Sequence, residues 1–475
     1  MRQTHLWLLL AALVAWLFVL IADARVTAVS PPQITISPPS GHYNHTIQVR
    51  LAAPAGYTIR HRFNRQPTTH LYQGPIALPA LGPTVTIVEA QLSTDDGTAV
   101  GEPVTAHYAI GWQKQLPLLS IGIEPDDFVG ENGIYSQFSE KGIEWERPIT
   151  LAYFSRQPSF VGRAGMRLHG NWTRTFFAKK SFRLYFRDEY GSDHWELFGD
   201  AGNRFVLHNS GQDLLVMKNS LMTELADELG LLAPKIQPVL LFLNGEPWGI
   251  YHLRERIDQS LLQRRYGNIP FDLLDTPDNA AQAQTVAGSR AHWDHLMAYV
   301  ANADLSQPEA LAYVETQVDL DNLIDYTLLQ LYAADRDWPE FNVNQFRPHT
   351  AGGRWQSVFW DNDLSFADAE RPLFSPMLEP ADPATALLLR SLLQNDAFRQ
   401  RLLARADVLL NTVLSAEAMT ARVGKLTAVY TPAIPIEQAR WEIDHMWEGQ
   451  QQALLEFVQR RPEVMWGELT AVLHH

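Results

Sequence analysis

Four clusters of side chains in this chain have the types and spacing to act together. In chain order they are Lys179-Lys180, which the run KKSFRLYF places on a strand, Glu255 at the end of another strand, the segment DWPEFN from Asp337 through Asn342, and Asp361-Asn362-Asp363 after the apolar run SVFW. A carboxylate, an Asn five residues on, and a strand ending in two more carboxylates match what magnesium-assisted phosphoryl transfer needs. Mg²⁺ takes oxygen ligands and usually keeps one or two protein carboxylates, with substrate phosphates completing its shell. An Asp near the acceptor hydroxyl orients it and takes its proton, and an Asn holds a second metal. A Lys on an amino-terminal strand binds phosphates as a point charge. The transition state is mainly charge on oxygen, so positioning and electrostatics supply the catalysis. Asp and Asn beside Pro and Gly are usually turn residues, so spacing alone does not decide for the chemistry.

Composition narrows the field. The 475 residues suffice for two or three domains, and 46% hydrophobic against 19% charged residues describes a globular chain. A formal net charge of -15 argues against a non-specific nucleic-acid binder, although a local basic patch is compatible with it. With no Cys, a disulfide framework and a cysteine–zinc site are both excluded. The 16 His show no HExxH spacing. The 14 Trp suit buried anchors or stacking surfaces for sugars and bases.

Several elements must position those clusters. Leu6 to Ala22 is apolar and uncharged behind Arg2, and Ala22-Asp23-Ala24 has the small-x-small form of a cleavage site. Residues 1–24 therefore read as a signal peptide or an uncleaved membrane anchor, with the remainder exported to the periplasmic or extracellular side. Residues 31–111 are all β in pattern: alternating runs such as HTIQVRLAA and TVTIVEAQL, separated by turn residues, predict a sandwich of immunoglobulin-like size. Residues 117–375 mix strands and helices. VGRAGMRLHG and KKSFRLYF read as paired strands, and PVLLFLN and GIYHLRE as two more joined at Gly245-Glu246. LLVMKNSLMTELADELG has helical spacing, with Asp213 as N-cap and Gly230 as stop. TPDNAAQAQTVAGSRA reads as an inserted loop, and residues 376–475 as a largely helical region.

RLHGNWTRTFFAKKSFRLYFRDEYG, FLNGEPWGIYHLRERID, DRDWPEFNVNQFR and RWQSVFWDNDLSF are similar, in order and spacing, to the signature segments of the spore-coat-protein-H (CotH) family. The resemblance implies an α+β, atypical protein-kinase-like fold that uses ATP with Mg²⁺ or Mn²⁺ to phosphorylate hydroxyls of envelope or secreted proteins, or its own. It further implies that Lys180, or its neighbour Lys179, contacts ATP phosphates and that Asp337 is the catalytic Asp. Asn342 would be a metal or phosphate ligand, Asp361 and Asp363 metal carboxylates, and Glu255 a residue of the adenine-side hinge. Glu224 could pair with Lys180, or simply face solvent. Two departures from the family pattern are Lys218, where Arg is commoner, and Glu340-Phe341, where the family tends to be Asn-rich.

The order PPSGHY, IRHRFNRQPTT, LYQGPIAL also resembles the β-sandwich at the carboxyl end of chitobiases and β-hexosaminidases, which implies a spacer or surface-docking module and possible polysaccharide contact. Asn44-His45-Thr46 and Asn171-Trp172-Thr173 are formal glycosylation sequons. The main alternative to an active kinase is an inactive kinase-like structural or binding protein of the envelope, because ATP is scarce outside the cytosol. A glycoside-directed protein would need a carboxylate acid–base pair, and no barrel-like strand–helix repetition is visible in the sequence.

Overall fold

The computed structural model describes residues 32–112, 116–155, 159–171, 173–276, 283–377, 384–442 and 446–473. The apolar run Leu6–Ala22 lies outside them. Among the described residues, no helix is long and apolar enough to cross a membrane.

The amino-terminal part is two facing sheets. Thr35–Ser37, Ile47–Ala52 and Ile76–Leu78 form one; Gly41–Tyr43, Ala99–Ile110, Thr84–Ser93, Thr58–Phe63 and His70–Leu71, in that spatial order, form the other. The strand IQVRLA shows why they pair: Ile47, Val49 and Leu51 are buried while Gln48 and Arg50 are exposed, the period-2 pattern of a half-buried strand. Its apolar face meets Ile59, Val88, Ala90 and Tyr108 in one core.

The seven strands that follow close into a barrel: Leu118–Ile123, Arg147–Phe154, Phe160–His169, Ser181–Tyr185, Arg204–His208, Glu246–Glu255 and Ile236–Leu243. Closure is a parallel pairing of the last with the first, Leu240 opposite Leu118. Leu119, Leu151, Met166, Phe182, Leu184, Tyr251 and Leu253 fill the interior. Leu118, Ala152, Leu240 and Phe242 point outward into a second core shared with the helices, so these strands are apolar on both faces. The hairpin from Ile236–Leu243 to Glu246–Glu255 turns at Asn244-Gly245, with φ of 50° and 81°. Asn and Gly tolerate this left-handed pair, which matches the twist of the strands.

Sandwich and barrel meet through a polar seam. Arg62 and Arg65 both ion-pair with Glu89 and Glu124. Between them His107 Nδ1 lies 2.8 Å from Ser120 Oγ, and its Nε2 lies 3.1 Å from Thr150 Oγ1. Burial, aided by Arg65, pulls the His107 pKa down to about 3. The unfolded chain then binds a proton that the folded chain refuses, so stability is complete above pH 6.5 and falls as pH drops from 6.5 towards 3. Thermal unfolding at pH 7 and pH 4.5 should show a lower midpoint at the acid pH, with a smaller difference in His107→Gln.

The rest is helical around a four-stranded sheet of Gln284–Ala287, Phe271–Thr276, Val343–Pro348 and Gln356–Val358. Helices Lys218–Glu228, Ala291–Asn302, Pro308–Gln317 and Leu320–Ala333 pack with Asp396–Leu410, Ala416–Tyr430, Ile434–Trp441 and Met446–Leu473 in the largest core. Arg461, fully buried, ties the last of these back by donating to the carbonyls of Leu331, Ala369 and Arg371.

Three local expectations shift. The helix expected from Asp213 starts at Lys218, because Asp213 instead accepts from the amides of Leu215 and Lys218 and closes a turn ahead of it. Lys179-Lys180 precede the strand Ser181–Tyr185 instead of lying on it. Part of the expected inserted loop is the strand Gln284–Ala287, paired with Phe271–Thr276.

Candidate active-site cleft

Four neighbouring barrel strands share an alternation. Leu168, Phe182, Leu207 and Leu253 point into the barrel, and the residues after them, His169, Arg183, His208 and Arg254, point out. The four outward side chains form one wall of a cavity of about 190 Å³. The opposite wall is Asp275, Asn342, Trp360 and Asp361, from the four-stranded sheet and the segment after it. A basic wall thus faces an acidic one. Arg254 Nη1 reaches Asp361 at 3.3 Å, and His208 Nε2 lies 3.6 Å from the same carboxylate.

The acidic wall is held by a network of buried and half-buried side chains. Asn342 Nδ2 donates to Asp337 Oδ2 at 3.3 Å. Asp335 accepts from the Asp337 amide at 2.9 Å, from Ser365 Oγ at 2.8 Å and from Asn362 Nδ2 at 3.1 Å. The Asn362 amide donates to Asn219 Oδ1 at 3.0 Å, while Asn219 Nδ2 donates to Asp363. Lys218 Nζ reaches the Asp363 carbonyl at 3.2 Å. Both Asn342 and Asp361 hold left-handed backbone, at φ 58° and 59°. Asn and Asp adopt it at modest cost, and such residues gather at functional sites.

His208, Asp361 and Asp363 each offer an atom within 4.8 Å of the others, a set able to hold a divalent cation. Burial raises the Asp363 pKa well above the carboxylate range, and Asp361 and Asp213 raise it further. Burial, with Arg254 next, lowers that of His208 and keeps its imidazole neutral, the form that ligates metals. A buried carboxylate crowded by two others is a group a cation would stabilise, so the residues fit a metal. The carboxylates of Asp361 and Asp363 suit Mg²⁺ or Mn²⁺, while the His208 nitrogen is a donor that hard Mg²⁺ does not favour and so tilts the set towards Mn²⁺.

Of the residues singled out in the sequence, Asn342 and Asp361 line the cavity; Asp337 joins them through its hydrogen bond with Asn342, and Asp363 through its grouping with His208 and Asp361. The two lysines line none of this cavity. Lys180 Nζ donates to the Arg174 carbonyl and lies 4.8 Å from the Phe138 ring centre. Lys179 Nζ ion-pairs at 2.6 Å with Glu437, 258 residues away on the helix Ile434–Trp441, and donates to the Ile250 carbonyl at 2.7 Å. Glu224 is exposed. Glu255 shares the inward parity of Leu253, and at the barrel end pairs with Arg264 and Arg265 and accepts from the Lys235 amide. Its neighbour Arg254 is the one facing the cleft. Sequence reasoning missed Arg183, Arg254, His169 and His208; the signal for them was the alternation in RLH, SFRLY, VLH and HLRE, with a basic residue after each core apolar one.

These features define an α+β protein with a polar cleft between a closed barrel and a helical lobe. Residues 166–465 match the family model described as CotH kinase protein, and the chain belongs to that family. Among curated proteins, none matches it. The match begins inside the barrel and ends within the last helix, so the cleft and all but the final turns of the helical region lie within it. It does not reach the amino-terminal sandwich, whose likeness to the chitobiase module stays a resemblance.

Proposed function

We propose that the cleft binds ATP and transfers its terminal phosphoryl group to a hydroxyl of a protein, in an atypical protein-kinase-like arrangement with the barrel as small lobe and the helical part as large lobe. The supporting observation is the pairing of walls across one cavity, with Arg183 and Arg254 facing Asp361, Asn342 and Asp275. Guanidinium groups grip phosphate oxygens through two parallel N–H donors and stay charged. In this reading Arg183 and Arg254 take the phosphate role that the sequence suggested for Lys180. A divalent cation held by His208, Asp361 and Asp363 would offset negative charge on the transferring phosphoryl group. Asp337, oriented by Asn342 and by the Asp335 network, accepts the hydroxyl proton as the acceptor oxygen bonds to phosphorus and the bridging P–O bond breaks, releasing ADP. The apolar amino-terminal run supports an exported acceptor of the envelope or secreted fraction, or the protein itself.

Purified protein incubated with radiolabelled ATP should become labelled, or label a generic protein acceptor, with Mg²⁺ or Mn²⁺ and not with EDTA. Absence both of labelling and of metal-dependent ATP binding by calorimetry would refute the proposal. The placement of Lys179 and Lys180 off the cleft favours one second reading, a kinase-like binding protein without transfer; metal-dependent ATP binding with no labelling of any acceptor would establish it.

A further inference from the structure

A second cavity, of about 140 Å³, adjoins the cleft and shares Arg183, Gly170 and Asn171 with it. Its character is different: Lys141, Arg167 and Arg174 line it with Arg183, next to the rings of Trp145 and Tyr185, and Glu140 is the carboxylate among its lining residues. The charges are poorly offset. Arg174 is only 5% exposed, and it donates to the backbone carbonyls of Glu140 and Leu168. Among the described residues its buried Nε has no hydrogen-bond partner. Lys141 donates to Asn171 Oδ1 and Arg183 to His169 Nδ1, both neutral acceptors. Among the described residues, Arg167 alone of these four has a carboxylate, Glu146, which it shares with Arg187. Burial and then the neighbouring Arg183 charge press the Arg174 pKa down, as expected of crowded cations lacking an anion. A buried guanidinium with an unsatisfied donor is costly unless a ligand completes it.

We propose that this cavity is a second anion site, which receives a phosphate monoester and holds it on Arg174, Lys141 and Arg183 beside the metal-binding cleft. The volume suits one phosphate group, and the donors are the charge-assisted type that phosphate oxygens accept. The inference deepens the phosphotransferase reading, because a phosphate held here would come from a residue of the acceptor already phosphorylated or from the nucleotide. It does not require the protein to be an active kinase.

The test is calorimetry on the full chain in EDTA, which empties the metal cleft, with O-phosphoserine peptide and AMP as separate probes. One of the two should bind, and the one that does identifies the source of the phosphate. Arg174→Gln should weaken binding by about tenfold or more, the scale of a lost charge-assisted contact. Lys141→Met, on a side chain outside the core, should weaken it by a smaller factor with an unchanged unfolding midpoint. Asp361→Asn should leave it intact while abolishing metal-dependent ATP binding, which separates failure of this site from failure of the cleft. If neither probe binds, or if folded Lys141→Met binds as the wild type does, the proposal is wrong. Should Arg174→Gln fail to fold, Lys141→Met carries the test.

Discussion

Asp337→Asn should reduce phosphoryl transfer by about a hundredfold to ten-thousandfold, the range for removal of a positioned proton acceptor. ATP binding should survive this change, because Asn keeps the shape of the side chain and an oxygen to accept from Asn342 Nδ2, now 3.3 Å from Asp337. Asp361→Ala should differ in kind. It deletes one of three candidate metal donors and the carboxylate that Arg254 Nη1 reaches at 3.3 Å. Metal-dependent ATP binding and labelling should then disappear together. Measuring binding by calorimetry beside labelling tells the two apart, since one variant loses the rate and the other loses the ligand. Wild-type labelling in Asp337→Asn would remove Asp337 from the proposed chemistry.

Lys179→Met should cost stability on a scale unlike that of a surface charge. Lys179 and Glu437 are nearly fully buried, at 6% and 4% exposure, with their charged atoms 2.6 Å apart. Burial lowers the Lys179 pKa and Glu437 opposes the shift, so the ammonium stays in place because of its partner. Removing one member of such a pair strands a charge in the interior and typically costs roughly 3–5 kcal/mol. Glu437 Oε2 also accepts from the Ile250 amide at 2.6 Å, so the pair joins three segments far apart in sequence. Lys179→Met should therefore show a marked fall in denaturation midpoint. The double variant Lys179→Met/Glu437→Gln should recover much of it, since Gln keeps an acceptor for Ile250 and no net charge remains. Equal losses in the single and double variants would mean that packing, and not the stranded charge, sets the cost.

Legibility in the sequence followed how local each signal is. The strand IQVRLA and Gly230 past the end of a helix, at φ 71°, express preferences set within a few residues and could be read directly, whereas the hairpin turn expected at Gly245-Glu246 falls one residue earlier, at Asn244-Gly245. The DWPEFN and DND clusters were legible for the same reason: Asp337 and Asn342 sit on one short segment and already hydrogen-bond to each other. The opening of the helix at Lys218 was not, because the Asp213 carboxylate accepts from the amides of both Leu215 and Lys218 and closes a buried turn ahead of the helix instead of capping one from its own position.

By itself the sequence determined the alternating strands, the acidic half of the cleft and membership in the family. Which cations face that acidic half was decided only by tertiary structure. A strand's pleat settles whether a residue points in or out, but barrel closure settles what lies outside, and that depends on pairing such as Leu240 with Leu118 across the chain. Arg183 and Arg254 thus reach the cleft from ordinary-looking strands, while Lys179, which the family resemblance offered as a phosphate contact, turns to a glutamate 258 residues away. A buried ammonium must find a counter-charge wherever the fold supplies one, and no local pattern specifies where that will be.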